Sequence, residues 1–263
     1  MKNFGLKLWS KDCACNIELV SEAEKALKEG VFDFLELFPL PDSYNDTKDI
    51  IKSRFNGVKT VIHAPHNGQG LNTADKNEFE NNCFRIKSSQ QFADLLNSDI
   101  IILHPGTFHG EEYLAESIRQ FKAFNDSRIT VENMPAYCND ALVDLHGCRP
   151  IEIKRFIDEL GIQFCFDFSH ATCAANYFKT DLYEFLADFA KLKPAMYHLC
   201  DGNISGTDDE HLHFGKGDYN LKRLVKEFTA DNALITMETG HGAPVNISPW
   251  LNDINYIRNL LKD

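Results

Sequence analysis

The sequence predicts an α/β protein of the (β/α)8 barrel class. Short apolar runs alternate with amphipathic stretches along the whole chain, and there are eight candidates for each. The length of 263 residues, 43% of them hydrophobic, suits one large core, and such barrels typically take about 250 residues.

In chain order the reading is strand 4–9 (FGLKLW), helix 18–29, strand 33–38 (DFLELF), helix 45–54, strand 58–63 (VKTVIH) and helix 77–96. There follow strand 98–104 (SDIIILH), helix 111–123, strand 128–132 (RITVE), helix 150–159, strand 162–167 (IQFCFD) and helix 181–191. Strand 195–199, helix 219–229, strand 233–238 (ALITME) and helix 249–262 complete the set. Each apolar run has the length of one buried parallel strand and is bounded by polar residues, Gly or Pro. The helical stretches carry apolar residues at helical spacing. Strict alternation calls for a parallel sheet with crossover helices, and eight units favour closure over an open sheet. No GxGxxG follows the first strand, which weighs against a dinucleotide-binding open sheet. No Ser/Gly/Pro-rich tract or charge block would serve as a linker, so residues 1–263 are expected to form one domain.

A net charge of −12 and a pI near 5.3 argue against nonspecific nucleic-acid binding through a broad basic surface. A local site is still compatible with them, because bound cations bring their own positive charge. The eight cysteines are scattered, with no CxxC pair, as expected in a reducing cytoplasm. MKNFGLKLWSKD lacks a secretory apolar region, and no run reaches the ~18 apolar residues of a membrane span. A soluble cytoplasmic protein is expected, with no membrane contact and no protein partner implied.

Nine residues at or just past the ends of the apolar runs can bind metal: His63, His104, Glu132, Asp167, His170, His198, Asp209, His211 and Glu238. A charged or imidazole residue ends such a run because burying it inside without a partner costs several kcal/mol. In a barrel the strand ends converge on one mouth, so residues scattered in sequence are expected to cluster there. Imidazole suits zinc, and carboxylates chelate or bridge cations, so five His and four carboxylates can hold more than one ion. Metals about 3.5–4 Å apart stabilise both the attacking and the departing oxygen of a phosphoester displacement. Phosphoester hydrolysis is the chemistry this set invites.

The segments IILHPG, VEN, FDFSHA, MYHLCD, DEHLHFGKG and METG resemble the signatures of the endonuclease IV family (AP endonuclease family 2), within the xylose isomerase-like barrels. The likeness runs from about residue 58 to 240. It implies that His63, His104 and Glu132 hold one zinc, that Glu132, Asp167, His198 and Glu238 hold a second, and that His170, Asp209 and His211 hold a third. Glu132 would bridge. It further implies hydrolysis of the phosphate 5′ to an abasic DNA site, with the metals neutralising the transition state. The chain departs from that family after the second strand, where FPLPDSYNDTKD is short and acidic rather than a basic, aromatic DNA-probing loop. His66 also stands where the family has a tyrosine, and the segment between His104 and Glu132 is trimmed.

The same superfamily contains sugar isomerases and epimerases that hold one Mn, Mg, Co or Zn ion with two Glu, one Asp and one His. Glu132, Glu238, Asp167 and His198 match that set, with Glu132 and Glu238 as the catalytic pair that relays a proton. That reading leaves His104, Asp209 and His211 without a role, so the hydrolase ranks first. A barrel that keeps the ligands yet only binds a small molecule ranks third.

Structural readings stand beside these. A lone His at a strand end is most often a hydrogen-bonded structural residue, and DDEHLH could be a solvated loop. Asp201 and Asn133 are read as supporting residues, with Asn133 facing away from Glu132. Gly215 and Gly217 are read as backbone requirements. His66, His109, His213 and His241 are either substrate contacts or simply exposed. Cys165 and Cys200 are core residues, Cys13 and Cys15 a weak metal signal, and the Phe-rich segments packing.

Overall fold

A computed structural model describes residues 2–138, 142–240, 242 and 244–262. Its strands are β1 (Asn3–Trp9), β2 (Phe34–Phe38), β3 (Thr60–His63), β4 (Ile101–Leu103) and β5 (Ile129–Glu132), then β6 (Tyr137–Cys138), β7 (Val143–Asp144), β8 (Gln163–Asp167), β9 (Met196–Leu199) and β10 (Leu234–Met237). Eight of them close into a parallel barrel in the order β1-β10-β9-β8-β5-β4-β3-β2, as the alternation predicts, while β6 and β7 pair as a small antiparallel ribbon. The predicted strands all appear, some shorter: Ile101–Leu103 stands for 98–104 and Thr60–His63 for 58–63.

Period-two alternation sorts each barrel strand into an outward and an inward face. Residues facing the helices join one large core with Phe92, Phe121, Phe156, Phe189 and Trp250. Inside the barrel Phe34, Val61, Ile102, Cys165 and Met196 form a separate apolar plug. Gly5 makes room for it, since a Cβ there would lie 2.4 Å from the Phe34 ring. One layer above the plug the inward positions turn polar: Lys7 is register partner of Glu36, and His198 lies between partners Asp167 and Thr236.

The connection after β2 is a tight turn that enters helix Tyr44–Phe55 almost at once. The long α/β connection after β8 holds two helices, Phe168–Phe178 and Leu182–Ala190, where the element-by-element reading of the sequence had one at 181–191. The helix from Phe168 begins because Asp167 caps it, its Oδ1 accepting from the His170 N–H at 2.7 Å. No helix among the described residues is long and apolar enough to cross a membrane.

Candidate metal centre

The nine residues named from sequence come together at the carboxyl rim of the barrel. Glu132, fully buried at the end of β5, stands at their centre. Its Oε2 faces His63 Nε2 at 3.3 Å and His104 Nε2 at 3.0 Å. Its Oε1 faces His198 Nδ1 at 2.9 Å and His170 Nδ1 at 3.5 Å. The two oxygens of one carboxylate are thus divided, Oε2 to His63 and His104 and Oε1 to His198. His198 Nδ1 also points toward Glu238 Oε1 at 3.5 Å and Asp167 Oδ2 at 3.8 Å. On the far side Asp209 Oδ2 lies 3.1 Å from His170 Nε2 and 2.6 Å from His211 Nε2. Asp209 and His211 come from the loop after β9, and a fold that left DDEHLH in solvent would have kept them apart.

Most of these imidazoles are fixed through their other nitrogen. His63 Nδ1 bonds the Ala64 carbonyl at 2.8 Å, His170 Nδ1 the Asn133 carbonyl at 2.8 Å, and His211 Nδ1 the Glu238 carbonyl at 2.7 Å. A carbonyl only accepts, so each bond keeps a proton on Nδ1 and turns Nε2 toward the cluster.

Two residues the sequence reading missed complete the site. Glu36, fully buried in β2, accepts from His198 Nε2 at 3.0 Å and from the Thr236 hydroxyl at 2.6 Å. Lys7 in β1 pairs with Glu36 at 3.0 Å and hydrogen-bonds Glu238. The available signal is a charged residue in the middle of an apolar run, as in FLELF and GLKLW.

The electrostatics follow from crowding five carboxylates around imidazoles and one ammonium out of water. Burial would raise Glu132, yet His198 and His104 hold it well below the usual carboxylate range. Burial would likewise raise Glu238, but His198 and Lys7 hold it at about 2. Asp167 goes the other way, pushed up to about 7 by burial and by Asp209, Glu132 and Glu238. Burial would lower His211, and Asp209 instead raises it to about 9.

Several features fit this donor set to zinc. His104 Nε2 and Glu132 Oε2 are buried, sit 3.0 Å apart and have no hydrogen-bond partner. Tetrahedral zinc with bonds near 2.0–2.1 Å holds its N and O ligands about 3.3 Å apart, close to the spacings around Glu132. Groups His63–His104–Glu132, His63–His198–Glu238 and His170–Asp209–His211 each bring their ligand atoms within 4.8 Å of one another. A further group, His109–Cys148–Glu152, meets the same criterion. Its Glu152 Oε2 already accepts from Gly147 N at 2.8 Å and Arg149 N at 3.3 Å, which makes it the cap of helix Pro150–Leu160.

The remaining sequence candidates take mixed places. His66 lines the mouth, stacked on His104 at 5.2 Å, and burial lowers it to about 3. His109 is half-exposed beside Glu152, and His213 Nδ1 bonds Asp253 at 2.7 Å. His241 lies outside the described residues. Cys165 is buried in the barrel plug and Cys200 is buried as well. Cys13 is buried while Cys15 is exposed, so the two do not share a face.

Two cavities open on the cluster. One of about 640 Å³ is lined by His63, His104, His170 and Asp209 together with Met134, Tyr137 and Leu145. The other, about 270 Å³, is lined by Trp9, Phe38 and Trp250. Lys7, His66, His211 and Glu238 line both.

A closed parallel barrel with imidazoles and carboxylates gathered at its carboxyl rim defines a class of (β/α)8 protein whose working face is that rim. The chain belongs to the xylose isomerase-like TIM barrel family, whose model matches residues 23–260. Among its relatives is the uncharacterized protein MJ1311 of Methanocaldococcus jannaschii, 27% identical over 80% of this chain and 74% of that one. Another is a probable endonuclease 4 of Halothermothrix orenii, 26% identical over 67% of this chain and 68% of that protein. A D-tagatose 3-epimerase-like protein superposes with a TM-score of 0.70 at 21% identity, covering 99% of this chain and 97% of the other. Endonuclease IV from Thermus thermophilus superposes with a TM-score of 0.68 at 19% identity, covering 99% of each chain. The two structural likenesses bear on the fold alone.

Proposed function

We propose that the chain is a metal-dependent phosphoesterase of the endonuclease IV type, hydrolysing a phosphodiester at a three-zinc centre. Abasic DNA is the substrate to test first. The observation that carries this reading is the division of the Glu132 oxygens between His63/His104 and His198, together with the joining of His170, Asp209 and His211 to the same cluster. In this reading His63, His104 and Glu132 hold one ion, Glu132, Asp167, His198 and Glu238 a second, and His170, Asp209 and His211 a third. Zinc, when bound, supplies Lewis-acid stabilisation of the charge that develops on the phosphoryl oxygens. Lys7 supplies a fixed positive charge at the cavity lining and orients an anionic substrate oxygen. Met134 and Leu145 reduce the water in contact with that oxygen. The eight cysteines are free, which supports a reducing cytoplasm as the working compartment.

The test is metal analysis of protein purified without chelator, joined to cleavage of an oligonucleotide carrying one abasic site. About three zinc ions per chain and incision, abolished in Glu132→Ala and Glu238→Ala, are expected. Full activity in both variants overturns the assignment.

A sugar isomerase or epimerase with one Mn, Mg, Co or Zn ion is the second reading. The favouring observation is the smaller cavity, where Trp9, Phe38 and Trp250 give an apolar wall beside Glu238, suited to the face of a sugar ring. About one metal per chain and turnover of a ketose without incision would select it.

A further inference from the structure

We propose that Glu36 is a positioning residue: it fixes the ring orientation and tautomer of His198, so that Nδ1 is the nitrogen presented to a cation held with Glu132, Asp167 and Glu238. This rests on a cation binding at that set, which both readings above require.

His198 is the one cluster imidazole whose outer nitrogen meets a carboxylate among the hydrogen bonds described. His63, His170 and His211 use neutral backbone carbonyls. His198 Nε2 instead lies 3.0 Å from Glu36 Oε2, with both residues fully buried. A carboxylate that keeps the Nε2 proton makes Nδ1 a stronger donor to a cation than a carbonyl would, because the negative charge stabilises the positive charge shared with the ring. Nδ1 faces Glu132, Glu238 and Asp167 at 2.9, 3.5 and 3.8 Å, the side on which such a donor is of use.

Glu36 has two further contacts, one at each carboxylate oxygen. The Thr236 hydroxyl donates to Oε2 at 2.6 Å, and Lys7 pairs with Oε1 at 3.0 Å. A carboxylate in mid-strand costs several kcal/mol to bury. Packing alone would be met by an apolar residue at that position, since the plug directly below it is apolar. Lys7 is the balancing charge, and its own contact with Glu238 places it against the cation set rather than in its support.

The experiment is a zinc titration against a competing chelator, combined with ¹⁵N–¹H correlation of the His198 ring in zinc-loaded protein. The wild type is expected to show a protonated Nε2 shielded from exchange and a metal-bound Nδ1. Glu36→Gln, nearly isosteric, is expected to weaken one zinc equivalent about 10- to 100-fold and to speed exchange of the Nε2 proton. Glu36→Leu is expected to weaken it further. Lys7→Met, which removes the balancing charge and leaves the Glu36–His198 contact, is expected to bind zinc as tightly as the wild type or more tightly. Equal zinc affinity in Glu36→Gln and the wild type overturns the inference and leaves the proposed function standing. So does metal on Nε2 in the wild type, a result that needs no variant to fold. Weakening by Lys7→Met equal to that of Glu36→Gln also overturns it, because charge balance would then account for both. A wild type that binds no cation at this set ends the inference and the proposed function together.

Discussion

The side-chain amide of Asn133 grips the backbone of Asp167 with two reciprocal hydrogen bonds. Its Oδ1 accepts from the Asp167 N–H at 2.8 Å and its Nδ2 donates to the Asp167 carbonyl at 2.9 Å. The Asn133 carbonyl accepts in turn from His170 Nδ1. One residue beside Glu132 therefore sets two others of the cluster. Asn133→Ala leaves a buried donor and acceptor unsatisfied, so it should lower stability by about 2–4 kcal/mol. Asn133→Asp should cost more, because it cannot donate to the carbonyl and adds a charge beside Asp167. Chemical denaturation of the two variants checks the order, and equal costs would contradict it.

Glu132 and Asp209 should differ in how much metal they control. Glu132→Ala removes a carboxylate shared by two ligand groups and should leave about one zinc per chain, whereas Asp209→Ala should leave about two. Metal analysis after dialysis distinguishes them. Equal losses would show that Glu132 does not bridge.

Gly217 should tolerate no side chain. A Cβ there would meet the Gly202 carbonyl oxygen at 2.3 Å and Asp201 Oδ1 at 2.5 Å. Asp201 gathers this loop by accepting from Gly202 N at 3.0 Å, Gly215 N at 2.8 Å and Tyr219 N at 3.2 Å. The same loop carries Asp209 and His211, so Gly217→Ala should destabilise the fold by about 2 kcal/mol or more and weaken the third ion selectively. A thermal melt and a zinc titration read the two effects.

Metal-free protein should lose stability as pH rises from about 6.5 to 9. His211 has its folded pKa raised to about 9 from 6.5 by Asp209, so the stabilisation is complete below 6.5 and gone above 9. Asp167, raised to about 7 from 3.8, acts in the same direction at lower pH, its contribution being lost between about 3.8 and 7. Zinc needs these groups deprotonated, so its affinity should climb across the same window. Melts of metal-free and zinc-loaded protein from pH 6 to 9.5 should therefore diverge, and parallel curves would refute the shifts.

The barrel was legible because each buried strand is a short apolar run with polar punctuation, and the rim because its ligands end those runs. Glu36 and Lys7 escaped since they sit inside runs, on the inward face, where only the barrel's closure shows what they meet. Only the start of the helix Phe168–Phe178 is legible, from Asp167 and His170 flanking it after the sixth strand, because FSHATCAANYF is largely buried and offers no polar stripe along its length. The β6–β7 ribbon depends on pairing between residues too few to show a pattern of their own.

Lys7 belongs to the first strand of the barrel and Glu238 directly follows the last, while β1 and β10 are neighbours along the closing seam. Two side chains 231 positions apart therefore meet only once the cylinder shuts, so that contact reports directly on whether the seam is closed.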